Sequence, residues 1–305
     1  MISFRYHVVT IVAVFLALAI GLLGGGAFVQ PALQRELQNR TEALQQTTAS
    51  LREQITELRA QTGRMGAFSD AALPYLTRDR LLGQQVVIVS QDGVDDTVLG
   101  EAQRALADAG AETVAVLHAR DQIASTDPDT QGRLGQIIGH STALAVDLPS
   151  LTAAALAERL SHTRGQTDPS RDLLDQLLSD GFLTSNDDAA AIDRIGEPGQ
   201  VVVVLGGGSS DTPLMPPEDF GSPLVQRLVE LGVPVAVGEG TDTPSPASLV
   251  ASSRDGEGDA VVTVDDLDLS MGGAALVLAI DQLVDTDNGG AYGLKEGAEP
   301  LPPLP

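Results

Sequence analysis

Three short segments of this chain carry side chains of the kinds that bind ions or ligands. Asp92, Asp95 and Asp96 follow one β-branched run, Gly206-Gly207-Gly208-Ser209-Ser210-Asp211 follows another, and Asp265, Asp266 and Asp268 follow a third. A glycine run cradles an anion through its backbone N–H groups, and aspartate oxygens hold hard cations such as Mg²⁺ or Ca²⁺. Here the glycine run lacks both the G-x-G-x-x-G spacing and the lysine with Ser/Thr of a P-loop. Its continuation, DTPLMPPEDF, holds three prolines, so no helix N-terminus follows at once to receive a phosphate. Among forty-two acidic residues, loop aspartates read first as solvated caps. Gly206, Gly207, Gly208, Asp92, Asp95 and Asp96 stand as the loop candidates for a bound ligand, with no cofactor named by them.

The other chemistry-bearing types are sparse. His7, His118, His140 and His162 include no pair at i, i+3 or i, i+4, and none completes a Ser/His/Asp arrangement legible in sequence. Met1, Met65, Met215 and Met271 are scattered. The absence of cysteine removes disulfides, iron–sulfur clusters, thiolate zinc sites and cysteine nucleophiles. No catalytic constellation emerges, and the expectation is a protein that is not an enzyme. Eighteen bases, of which only Lys295 is a lysine, leave a formal charge of −24. A chain that acidic repels phosphate backbones, which argues against nucleic acid as a partner.

Position for these loops comes from alternating elements. Val86–Val89 reads as a fully buried strand, and Val98, Ala102, Ala105, Leu106 and Ala109 share one helical face before Gly110. Thr113–Leu117 supplies a second strand, and a strand–helix–strand unit implies a right-handed crossover and a parallel pair. Further strands are expected at Val201–Leu205, Val233–Val237 and Ala260–Val264. Ser222-Pro223 is expected to cap a helix over Leu224, Val225, Leu228 and Leu231, and Gly272–Val284 to form a buried helix. Residues 121–198 read as an insertion of three helices. The class is therefore α/β: a doubly wound, mostly parallel sheet over residues 67–287, with ligand loops at the carboxyl ends of its strands. Residues 288–305, rich in Gly and Pro, are expected to be a flexible tail.

Ahead of this domain, Val8–Val29 is apolar apart from Thr10, and twenty-two helical residues span about 33 Å, enough to cross a bilayer. Residues 1–30 are thus expected to be an uncleaved transmembrane anchor, ended by Gln30-Pro31, with a cytoplasmic N-terminus and an exported body. Ala13, Ala17, Gly21 and Gly25 recur every four residues and form a small-residue stripe for close helix pairing. Leu37, Leu44, Leu51, Leu58 and Met65 then repeat every seven, with Thr41, Thr48, Ile55 and Thr62 between them. Residues 31–66 are expected to be a parallel two-stranded coiled-coil stalk closed by Gly63 and Gly66, making the chain a homodimer.

The opening MISFRYHVVTIVAVFLALAIGLLGG followed by a leucine-heptad helix resembles the mycobacterial copper transport protein B family, also labelled copper transport outer membrane proteins. VVVVLGGG, VVTVDDLD, GGAALVLAIDQL and the ending GGAYGL extend the resemblance over essentially the whole chain. It implies an actinobacterial cell-envelope protein with a role in copper efflux or tolerance, pore formation in the outer mycolate membrane, and copper ion as the implied metal. No metal ligand carries over residue by residue, since Cu(I) favours sulfur and no sulfur cluster is present. A second reading from the residues is structural: an anchored coiled-coil dimer whose α/β head docks another envelope or cell-division protein.

Overall fold

A computed structural model describes residues 4–140, 147–163, 172–210, 212–256 and 258–303, without the side chains of residues 24–37 and Asp259. Asp211 lies outside the described residues, and Gly25 of the expected pairing stripe and Leu37 of the expected heptad seam are described in backbone only. The chain divides into two units, Met1–Met65 and Gly66–Pro305.

The described residues of the first unit are helical. α1 runs unbroken from Phe4 to Thr77, so Pro31, Gly63 and Gly66 lie within it rather than at breaks. A helical glycine costs about 1 kcal/mol relative to alanine, too little to end a long helix alone. Phe4–Leu23 is long and apolar enough to cross a membrane and is exposed, as are Ala13, Ala17 and Gly21. The residues of α1 from Gly66 onward belong to the second unit. There Ser270 donates a hydrogen bond to Asp70, and Thr77 is buried.

In the second unit, β-branched runs with no polar alternation form strands covered on both faces. β1 (Gln85–Gln91), β2 (Glu112–Ala119), β3 (Leu183–Thr184), β4 (Val201–Leu205), β5 (Val235–Gly238), β6 (Val262–Val264) and β7 (Gly290–Tyr292) make one sheet in the order β3-β2-β1-β4-β5-β6-β7. Every pair is parallel except β2 with the edge strand β3. Along β1, Val86 and Ile88 pack on one side with α2 (Asp96–Asp108) and α9 (Ser270–Thr286). Val87 and Val89 pack on the other, with α4 (Leu148–Leu160), α7 (Gly221–Glu230) and α8 (Leu249–Gly256). The sheet is doubly wound.

Between β2 and β4 the chain forms α3 (Pro128–Ile137), α4, α5 (Leu173–Ser179), β3 and α6 (Ala189–Asp193). An ion pair between Arg159 and Asp172 at 2.8 Å, both side chains largely buried, fastens α4 to the start of α5. The expected three helices lacked α6 and β3, which are too short to leave a periodic pattern. In α7 the Ser222 hydroxyl does not cap; it meets the Ser252 hydroxyl of α8 at 2.7 Å. α8 itself has no counterpart in the sequence reading.

The expected flexible tail is the clearest correction. Residues 290–292 pair with β6 as β7, and Tyr292 is buried. Leu294 and Lys295 donate their backbone N–H groups to the Asp265 carboxylate at 2.7 and 3.1 Å. The glycines here permit close approach rather than looseness. A Cβ at Gly289 would stand 2.1 Å from the Val261 carbonyl oxygen, and Gly293 has φ +127° with the Asp265 carboxylate where a Cβ would go.

Candidate functional site

β2 lies on one side of β1 and β4 on the other, so the loops leaving β1 and β4 diverge. In open α/β sheets this point of reversal is where ligands bind. Two clefts open there, sharing Gly207, Gly208 and Ser209. One, of about 180 Å³, is lined by Asp95, Thr97, Val98, Thr241, Asp242 and Asp268 among others. The other, of about 190 Å³, is lined by Gln91, Asp92, Gly93 and the segment Thr212–Met215.

The structure brings most of the predicted loops together here, yet most of the aspartates serve the fold. Asp95 is the N-cap of α2, accepting from the Thr97 hydroxyl at 2.7 Å and its N–H at 2.8 Å. The Thr97 hydroxyl, then its N–H, holds the Asp95 carboxyl below the usual carboxylate range. Asp92 pairs with Arg120 at 3.3 Å and accepts the Asp121 N–H. Asp96 is exposed in the first turn of α2, outside both clefts, where its charge favours the helix N-terminus. Asp268 accepts from the N–H and hydroxyl of Thr241, tying the loop after β6 to the loop after β5. Gly206 is buried, its N–H bonded to the Gly238 carbonyl; Gly207 turns the chain with φ +83° against Thr243; Gly208 sits against the Gly93 carbonyl.

Beneath these loops lies a set of buried charges that sequence reasoning missed in part. Glu239, fully buried after β5, accepts from the Lys295 ammonium at 2.6 Å, the Ser248 hydroxyl at 2.7 Å and the Val250 N–H at 3.2 Å. Asp265, fully buried after β6, pairs with Arg254 at 2.9 Å. Asp266 is equally buried, and neither of its carboxylate oxygens has a hydrogen-bond partner from another described residue. Burial first, then the charges of Asp265 and Asp268, pushes its pKa up to about 7.

Gln91 was also missed. It closes β1 and is buried, and neither atom of its amide has a partner among the described residues. A buried polar group left unpaired costs about 1–3 kcal/mol. The available signal was positional: Gln91 ends QVVIVSQ, and Glu239 follows VPVAVG, both at carboxyl ends of strands.

Carboxylates and hydroxyls line the first cleft, a surface that disfavours anions. Among the described residues no group of three or more His, Cys, Asp or Glu is placed to hold a metal ion.

The sheet, its helical layers and the switch-point clefts define a mixed α/β protein of the doubly wound class, joined to an apolar N-terminal helix. The chain belongs to the family described as "Copper transport outer membrane protein, MctB", whose profile matches residues 1–303. Relatives named "Copper transporter MctB" from Mycobacterium bovis and Mycobacterium tuberculosis are each 25% identical over 316 residues, covering 98% of both chains. One of the same name from Mycobacterium leprae is 24% identical over 322 residues, again covering 98% of both. The family description and the exposed apolar helix Phe4–Leu23 fit a membrane-anchored protein.

Proposed function

We propose that this chain is a single-pass protein of the cell envelope, N-terminus cytoplasmic and α/β body exported, that acts in copper efflux or copper tolerance. The end-to-end match to a copper transport family, anchor included, carries this reading. The family's description also supports an outer-membrane location. Copper here is cargo. Cu(I) favours sulfur ligands, whereas Met65 is exposed on α1 and Met215 is buried beside the second cleft. On this reading copper is handled where copies or partners meet, rather than in one head. Cells lacking the chain are expected to accumulate copper, by elemental analysis, and to stop growing at lower copper. The full chain restores both, and a chain lacking residues 4–23 restores neither. Unchanged copper content in the deletion strain overturns the proposal.

The second reading, a dimeric scaffold docking another envelope protein, draws on the seam of α1. Leu44, Leu51, Ile55, Leu58 and Met65 are all exposed, between about half and two-thirds of their surface. Burying a leucine contributes about 1.5–3 kcal/mol, so a repeating exposed row favours pairing with a second copy. Joint replacement Leu44→Asn, Leu51→Asn and Leu58→Asn is expected to convert a dimer to a monomer, measured by light scattering of the full chain in mild detergent. A monomeric starting protein rules the stalk out.

A further inference from the structure

We propose that the cavity between α8 and the segment after β7 binds a small zwitterion of the α-amino-acid type, its carboxylate against Arg254 and Lys295 and its ammonium against Asp255 and Glu296. All four residues line this cavity, which holds about 480 Å³. That volume falls within the range of about 300–1,000 Å³ common for small-molecule sites. Small residues keep the space open. Ala251 and Ala291 line it, and a Cβ added at Gly258 or Gly297, which also line it, would meet nothing within 4 Å. The two alanines offer an apolar surface to a ligand side chain.

The cations are the deeper pair. The Arg254 side chain is 18% exposed and that of Lys295 30%, whereas Asp255 and Glu296 are exposed residues. Arg254 donates through Nε to the Thr263 hydroxyl at 2.9 Å and through Nη2 to the Tyr292 carbonyl at 3.0 Å, and Nη2 also pairs with Asp265. Lys295 donates to Glu239 at 2.6 Å and to the Thr243 carbonyl at 3.0 Å. These bonds hold both side chains in place, yet they use neither N–H of Nη1 and only two of the three on Nζ. A carboxylate accepts several hydrogen bonds at once, and those from charged donors are the strongest. Charge selects the rest of the ligand. Asp265 and Glu239, both fully buried, already balance the two cations, and Asp255 and Glu296 add negative charge at the rim. An anion alone is repelled by that rim, and a cation alone gains nothing from Arg254 and Lys295. A molecule carrying both charges is matched at both ends.

The test uses the full chain in lipid nanodiscs, titrated by calorimetry with L-leucine and two derivatives. L-leucine methyl ester lacks the carboxylate, and N-acetyl-L-leucine lacks the ammonium. L-leucine is expected to bind, and each derivative to bind at least about tenfold more weakly, the cost of losing a hydrogen bond to a charged group. Joint replacement Asp255→Asn and Glu296→Gln is expected to weaken L-leucine and to narrow its advantage over N-acetyl-L-leucine. Ala251 is exposed on α8, so Ala251→Phe is expected to fill the cavity and abolish binding without unfolding the chain. No binding of L-leucine, equal binding of either derivative, or full affinity in Ala251→Phe overturns the proposal. The two derivatives decide the matter in the unsubstituted chain if a variant does not fold.

Discussion

Replacing Lys295 with methionine is expected to destabilise the α/β unit by about 3 kcal/mol, the low end of what removing one partner of a buried ion pair costs. The low end applies because the Lys295 side chain is 30% exposed while that of Glu239 is fully buried. Without the ammonium, Glu239 keeps the Ser248 hydroxyl and the Val250 N–H but loses its counter-charge. The segment after β7 also loses one of its ties to the sheet, keeping the Leu294 and Lys295 N–H bonds to Asp265. Urea titration followed by hydrogen exchange of β5 and β6 amides measures the effect. The double replacement Lys295→Met with Glu239→Gln is expected to recover most of the loss, since the glutamine carbonyl still accepts from Ser248. A single variant within 1 kcal/mol of the parent refutes the role given to the pair.

Asp266→Asn is expected to stabilise the protein at pH 8 and leave it unchanged near pH 4. Burial, with the charges of Asp265 and Asp268, raises the Asp266 pKa to about 7 from an ordinary 3.8. The folded state therefore holds a proton that the unfolded chain releases near pH 4. The stability this group contributes is fully present below about pH 4, declines as pH rises, and is lost by about pH 7. Roughly three pH units of difference correspond to about 4 kcal/mol as an upper bound. Asparagine matches the protonated acid in shape and does not titrate, so the variant-minus-parent stability is expected to climb between pH 4 and 7 and then level off. A difference that does not change with pH removes Asp266 as its source.

Much of the fold was legible because it rests on local periodicity. The β-branched runs at residues 86–89, 113–117 and 201–205 are buried from both sides, and a run without polar alternation says so directly. The face of Val98, Ala102, Ala105 and Leu106 was visible at helical spacing and is buried in α2. The carboxyl-end rule likewise pointed to the loops that meet at the clefts. What was not legible depends on distant partners. Gly289 and Gly293 look like looseness in sequence, and only the approach of Val261 and Asp265 turns them into close contacts. The two-residue strand β3 exists because β2 offers an edge. Gln91 and Glu239 are unremarkable letters until burial separates one that lacks hydrogen-bond partners from one that is fully paired. The continuation of α1 past Gly66 goes with docking of its final turns, where Asp70 accepts from Ser270 two hundred positions away and Thr77 is buried.

The pairing of Lys295 with Glu239 has a practical consequence. The sequence contains one lysine, so a lysine-specific endoprotease has one target peptide bond in it, Lys295–Glu296. Cleavage requires that residue to leave its acidic partner and the backbone around it to extend into the enzyme. The digestion rate therefore clocks how often the C-terminal segment detaches, without a label or a substitution.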